Sequence, residues 1–427
     1  MRTERNHIDL FAGCGGLTLG LHDAGWGSLF AVEKDPMAFE TLEANFLTRT
    51  APYQDFDDWP RWLPKKPLDI REMVSDRRYR VHLRNLAGSV DLVAGGPPCQ
   101  GFSVGGRRDG HDERNLLVYQ QLELSALVRP KLILIENVEG ITRRFVSKPG
   151  QAADSVAQDV IRRLTAMGYH AAHLTLNANE FGVPQFRRRV VIIGVRSRLA
   201  GFLKIEDTLA GLFADAATEV RTRLGLGSRP IASVREALHD LANEERVPCP
   251  DSPGFESTTY LRADSIYARH LRRGRRTGTI PDSHRFSKHG DGILSLYELA
   301  HESQVPGRLS KSFLLANGTK KDKKVLLDPT VAASTITTHP DEFIHYTQPR
   351  NVTVREMARL QSFPDDFVFR GRYTINGPRR RFDVARCSQV GNAVPPFLAH
   401  GVGLALNELL SAVERSTPKA RIAVNAL

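Results

Sequence analysis

Six short apolar runs, at 7–11, 29–33, 90–94, 131–135, 171–176 and 190–195, punctuate the first 200 residues. Amphipathic stretches at 17–24, 36–46, 116–128 and 152–167 lie between them. Near-continuous Val, Ile and Leu over five or six residues marks a strand covered on both faces. A helix-length spacer between such strands brings the chain back for another parallel pairing. The fold class expected is therefore α/β, a parallel sheet with helices on both sides. The rhythm stops after Arg198. Residues 200–345 carry the Pro- and Gly-rich stretch 248–254 and the basic stretch 272–276, with no strand–helix alternation, and predict a smaller, irregular unit. A helical pattern returns at 353–361, where Thr353 and Glu356 have capping-box spacing. The apolar-periodic stretch 396–413 predicts a terminal helix that finishes the sheet begun at residue 7.

Composition narrows the class. With 427 residues and 41% hydrophobic content, the chain can bury a sizeable core. It has no run of about 18 apolar residues, so no transmembrane helix is expected. The first seven residues run into a strand without a signal-peptide core. The four cysteines (14, 99, 249 and 387) form no CxxC pair, which predicts neither a disulfide framework nor a metal site and fits a reducing compartment. Net charge is +11 and unevenly placed: residues 258–324 hold 14 lysines and arginines against 6 carboxylates, a local +8. Such clustering points to a polyanionic partner, nucleic acid first.

Residues 95–103 read Gly-Gly-Pro-Pro-Cys-Gln-Gly-Phe-Ser directly after a buried strand. Prolines fix φ and glycines let backbone approach a ligand closely, so Cys99 reads as a thiol presented rigidly to a substrate. The alternative is a buried structural cysteine in a tight turn. Residues 8–17 form a strand, a glycine-rich turn and a helix start, the arrangement that turns backbone N–H groups toward a nucleotide. Its spacing, Gly13-x-Gly15-Gly16, lacks the third glycine of a dinucleotide fingerprint. Glu33 ends the second strand, where a carboxylate can accept both hydroxyls of an adenosine ribose or lie on the surface as a plain acid. Glu136 ends another strand, where it can protonate a ring nitrogen or cap a helix. Arg187 and Arg189 alternate with Arg188 before the strand 190–195, so both fall on one side and can bind phosphate or orient Glu136.

In this order the motifs resemble those of DNA (cytosine-5)-methyltransferases: DLFAGCGG at 9–16, Glu33, GGPPCQGFS at 95–103, ENV at 136–138, QFRRR at 185–189, TVREMARLQSFPDDF at 353–367 and QVGNAVPP at 389–396. The likeness covers 7–200 and 345–405, about six-tenths of the chain. It implies a Rossmann-like S-adenosylmethionine-dependent methyltransferase sheet in residues 1–200, a target-recognition domain at 201–345 and a return segment at 346–427. Residue by residue, it implies Cys99 as the nucleophile, Glu136 as the group at cytosine N3, and Arg187 and Arg189 as active-site arginines. S-adenosylmethionine contacts are implied at Phe11, Gly13, Gly15, Glu33, Pro97 and Asn392. The acid on the adenine amino group falls on Asp69, with Asp55 and Asp57 as competitors.

DNA contacts are expected from Gln100, from Ser103, Arg107 and Arg108 in a lid at 101–115, and from Arg272, Arg273, Arg275 and Arg276. The resemblance further implies double-stranded DNA as partner, no metal, no membrane, and a monomeric, cytoplasmic enzyme associated with the nucleoid through DNA. It also implies a place in a restriction–modification or phage-defence system, with cognate restriction or defence proteins as further partners. The rivals are a tRNA methyltransferase of the same superfamily, a non-catalytic nucleic-acid-binding regulator, and, more distantly, an NAD-dependent dehydrogenase. The basic 200–345 region favours duplex DNA over tRNA, the intact Cys99, Glu136, Arg187 and Arg189 favour an enzyme, and the missing glycine opposes NAD.

Overall fold

The computed structural model describes residues 5–56, 58–98, 117–148, 151–200, 205–227, 232–319, 323–339, 341–374 and 383–416. In chain order the first half runs β1 (Arg5–Leu10), α1 (Gly16–Asp23), β2 (Trp26–Val32), α2 (Pro36–Leu42), α3 (Ile70–Ser75), α4 (Arg77–Asn85), β3 (Leu92–Gly95), α5 (Leu117–Val128) and β4 (Leu132–Asn137). A hairpin of β5 (Arg144–Lys148) and β6 (Gln151–Ser155), then α6 (Val156–Ala166), β7 (Tyr169–Asn177) and β8 (Arg188–Arg196), follow. Six strands form one sheet in the order β2-β1-β3-β4-β8-β7.

The α/β class holds, but the sheet is not wholly parallel. β8 runs antiparallel to both β4 and β7, while the pairs from β2 to β4 are parallel. The cause is loop length. Between β7 and β8 the only regular element is a short 3₁₀ turn, Ala178–Phe181, and a parallel return needs a crossover of a dozen or more residues. Reversal delivers the start of β8, with Arg188 and Arg189, to the same edge as the end of β4.

Alternation along the strands covers both faces. Leu92, Ala94, Leu132, Leu134, Val191 and Ile193 face one core, and Ile8, Leu10, Phe30, Val93, Ile133 and Ile192 face the cores on the other side. The first core is roofed by α1, the helix Ile205–Arg223 and the terminal helix Pro396–Ser416. α1 and the terminal helix close on one another through glycine. A Cβ on Gly20 would lie 2.3 Å from Ala399 Cβ, and one on Gly403 would lie 2.6 Å from Ala24 Cβ. Trp26 Nε1 donates to Gly403 O at 3.0 Å, tying β2 to the terminal helix. The segment 386–415 is apolar and long enough to cross a bilayer by composition, but it is mostly buried in this core.

Residues 205–223, expected to be irregular, form a helix whose Ile205, Leu209, Phe213, Ala217 and Val220 join the first core at helical spacing. Farther on, short strands (Gly307–Arg308, Val325–Leu326, Phe343–Ile344) and the helices Asp291–Ser303 and Lys311–Ala316 enclose a small core of Leu296, Tyr297, Ala300, Leu309, Leu314, Leu326 and Ile344. The expected capping box is present: Thr353 accepts from Glu356 N–H, and Glu356 accepts from Thr353 N–H at 2.7 Å, starting the helix Val354–Leu360.

Candidate active site

The functional edge lies at the C-terminal ends of β1 to β4. After β1 the backbone turns left-handed at Phe11, Gly13 and Gly15 (φ 56°, 57° and 98°). Gly15 has no alternative, because a Cβ there would sit 2.6 Å from the Phe46 ring. A Cβ on Gly16 would sit 2.4 Å from Val394 O, so the segment 389–396 lies directly over the turn. Below it, Thr18 donates to buried Asp9 at 2.6 Å, and desolvation pushes the Asp9 carboxyl up to about 7.

Glu33 stands beside this turn. Its carboxylate accepts from Gly13 N–H at 2.8 Å and from Asp35 N–H at 2.7 Å. Burial raises its pKa, opposed by those backbone donors. The carboxylate oxygens keep acceptor capacity for a diol. Leu68 N–H donates to Glu33 O at 2.8 Å, which brings Asp69 next to Glu33. Asp69 caps α3, accepting from Arg71 N–H at 2.9 Å, and pairs with the Arg71 guanidinium at 2.7 Å, which lowers its pKa. Asp55 is elsewhere, bonded to Ser28 near the start of β2 and paired with His22, so it is removed as a competitor. Asp57 lies outside the described residues. Asn392 is exposed at the end of the helix Arg386–Asn392. The residues thus fit S-adenosylmethionine: a left-handed glycine turn that admits close approach, and two carboxylates at the ends of adjoining segments.

Across the edge, Glu136 ends β4 and pairs with Arg189 at 3.1 Å, both side chains 12% exposed. Burial raises the Glu136 pKa, against the pull of Arg189 and Arg187. Two contacts join this pair to the Gly-Gly-Pro-Pro turn. Asn137 Nδ2 donates to Pro97 O at 3.0 Å, and a Cβ on Gly96 would lie 3.1 Å from Glu136 Oε2. Asn137 had no role in the sequence reading, although it sits inside the ENV motif that carried Glu136. Cys99, Gln100, Ser103, Arg107, Arg108 and the lid at 101–115 lie outside the described residues.

Arg187 differs from expectation. It is 1% exposed, and its guanidinium donates to Ile336 O (3.0 Å), Gly391 O (2.8 Å) and Ala393 O (3.0 Å). It holds the 389–396 segment in place and has no face free for phosphate. Beside it, Gln185 ties the segments at 336 and 360 together, donating to Leu360 O and accepting from Ile336 N–H. Alternation was read correctly: Arg188 points outward and pairs with Glu139 at 3.1 Å.

The basic stretch splits. Arg272 is buried, lies over the Tyr260 ring, donates to Leu261 O at 2.8 Å and faces Asp240, so the expected phosphate contact is corrected to a packing role. Arg273 pairs with Asp23 at 3.2 Å across to α1. Arg275 and Arg276 are exposed on the wall of a cavity of about 740 Å³.

Comparison with known proteins gives one consistent result. A family model for C-5 cytosine-specific DNA methylase matches residues 5–408. The Type II methyltransferase M.DdeI of Desulfomicrobium norvegicum is 30% identical, over 93% of this chain and 87% of its own length. The Type II methyltransferase M.AgeI of Thalassovita gelatinovora is 30% identical, over 95% of this chain and 99% of its own. A crystal structure of an E. coli prophage-encoded protein shares the fold, with a TM-score of 0.63 at 24% identity, covering 96% of this chain and 100% of the other.

Proposed function

This chain belongs to the C-5 cytosine-specific DNA methylase family, of the Type II modification kind, and we propose on that premise that it methylates one cytosine of a specific duplex sequence through a covalent Cys99 adduct. The observation that carries the reading is the Glu136–Arg189 pair set against the Gly96-Pro97 turn that leads to Cys99.

Carbon 5 of cytosine is a poor nucleophile. Addition of the Cys99 thiolate to carbon 6 forms a C–S bond and moves the ring electrons to carbon 5. Glu136, whose pKa burial raises, holds a proton at N3 and offsets the charge developing there. Arg189 keeps the Glu136 carboxyl aimed at the ring. S-adenosylmethionine, when bound between the glycine turn, Glu33 and Asp69, supplies the methyl group from its sulfonium and leaves as the neutral thioether. Transfer of the carbon 5 proton to solvent then returns the electron pair to the ring and expels the Cys99 thiolate.

Because the ring edge is unreachable within a stacked duplex, the base must rotate out of the helix. Exposed Arg275 and Arg276, within the basic 258–324 stretch, suit phosphate contacts, and residues 201–345 are read as the target-recognition region. Arg273 and the residues 100–108 are assigned to the same DNA surface. The biological role that fits is protection of host DNA in a restriction–modification or phage-defence system. Duplex DNA carrying 5-fluorocytosine tests the chemistry, since fluorine cannot leave as the proton does. Wild type should form a denaturation-resistant adduct and Cys99→Ala none; no adduct with wild type on any duplex library, or one with tRNA instead, overturns the reading.

A further inference from the structure

The edge of the sheet opposite the methyl-transfer site carries a second cavity, of about 510 Å³, walled by Arg129, Arg196, Arg198, Ser125, Gly88 and Tyr169 among others. β8 links the two edges. Arg189 faces the site, and Arg196 lies seven residues on, about 24 Å away at strand rise. Basic residues on this far edge are otherwise paired: Lys131 meets Asp91 at 2.8 Å and Glu414 at 2.9 Å, and Arg5 meets Glu414 at 3.6 Å. Arg129, Arg196 and Arg198 have no carboxylate within 4.0 Å among the described residues. α5 and α6 end at this cavity, and their two C-terminal dipoles offset only about one of the three positive charges.

Two buried groups add to this. The Arg196 guanidinium engages the Tyr169 hydroxyl with its Nη2 buried, and the Oγ of Ser125, a fully buried residue on the same wall, has no hydrogen-bond partner among the described residues. Arg129 also occupies a left-handed position (φ 49°) just after α5, where glycine is usual, so its side chain is kept there against backbone preference. Gly88 and Gly168, both at φ 85°, keep the walls bare, and a Cβ on Gly168 would meet nothing within 4 Å. Arg129, Arg196 and Arg198 all act electrostatically on the Tyr169 hydroxyl, which itself donates to Pro130 O at 2.8 Å.

We propose that this cavity is a phosphate-binding site, separate from the methyl-transfer edge, that takes a small oligophosphate or phosphate ester. Three guanidinium forks offer more charge-assisted donors than a single carboxylate has oxygens to accept, and the volume is that of a small-ligand pocket. The same phosphate chemistry can come from a free anion or from the backbone of a second DNA segment. Titration calorimetry of the full chain with tripolyphosphate, beside duplex affinity and methylation rate, separates the sources.

Wild type should bind one tripolyphosphate. Arg129→Gln with Arg198→Gln, both exposed and expected to fold, should weaken binding by about 10-fold per arginine with methylation of a short duplex unchanged. If tripolyphosphate does not bind but the double variant loses affinity for a long duplex and not a short one, the phosphate is DNA's and the site stands. Tripolyphosphate binding that the variant leaves intact, or no effect of the variant on either ligand, overturns it.

Discussion

Replacing Arg187 by methionine should unfold this protein more readily without touching DNA affinity directly. The guanidinium donates three charge-assisted hydrogen bonds to the carbonyls of Ile336, Gly391 and Ala393, in a place with 1% exposure. Each such bond contributes about 1.5–3 kcal/mol, and each buried carbonyl left bare costs about 1–3 kcal/mol. Against this stands relief from burying a cation whose nearest carboxylate, Glu136, is already paired with Arg189. The balance resembles breaking one side of a buried ion pair, and about 3–5 kcal/mol of lost stability is expected. Urea denaturation followed by tryptophan fluorescence measures it. Because Val394 O lies over Gly16, the loosened segment should also weaken S-adenosylmethionine binding, by about 10-fold for one lost contact of this strength. A phosphate-binding Arg187 predicts the reverse: unchanged stability, weaker DNA binding, and a salt dependence reduced by about one counterion. A variant within 1 kcal/mol of wild type would refute the assignment.

Three other outcomes follow from the structure. Glu136→Gln should cut turnover by about 10²-fold or more with cofactor affinity unchanged, since the amide cannot hold the N3 proton. Gly20→Ala should destabilise by about 1–3 kcal/mol despite alanine's better helix propensity, because its Cβ would overlap Ala399; a stability gain would mean that the two helices part easily. His284 is fully buried, and its folded pKa is pushed down to about 4 by desolvation, below the usual value of 6.5. The unfolded chain therefore takes up the proton first, and stability is lost as pH falls below 6.5 toward 4. From pH 7.5 to 5.5 this amounts to about 1.3 kcal/mol, and His284→Gln should shrink the wild-type acid loss by that much in paired denaturation curves.

How much of this was legible beforehand varies by element. The central strands β3, β4 and β8 were visible because they are buried on both faces and so are written in Val, Ile and Leu, while edge strand β7 showed only as an alternation of buried and exposed residues. The reversal of β8 was hidden because apolar runs carry no direction; only the ten residues between Asn177 and Arg188, too few for a crossover helix, encode it. The helix Ile205–Arg223 has a legible period, but it sits in a stretch whose later prolines and arginines suggested irregularity throughout. Glu33, Glu136 and Arg189 stood out in the sequence because charged residues at strand ends are conspicuous. Arg187 and Arg272 stood out for the same reason, yet their burial was not legible: charge is visible in a sequence, but whether carbonyls from distant segments close over it is not. Asn137 went unassigned because a neutral amide beside a glutamate carries no charge to draw notice.

The close seam between α1 and the terminal helix has a consequence in time. Gly20 finds its partner only when Ala399 exists, and β2 is anchored through Trp26 only when Gly403 does. At about 5–20 residues per second, the ribosome reaches that helix roughly 20–80 s after α1 emerges. For that interval the glycine turn has no lid at Val394, and the first core has one wall open. The glycine turn is therefore covered only once the segment around Val394, late in the chain, has been made. Removing the terminal helix should therefore expose the first core and lower solubility and stability together.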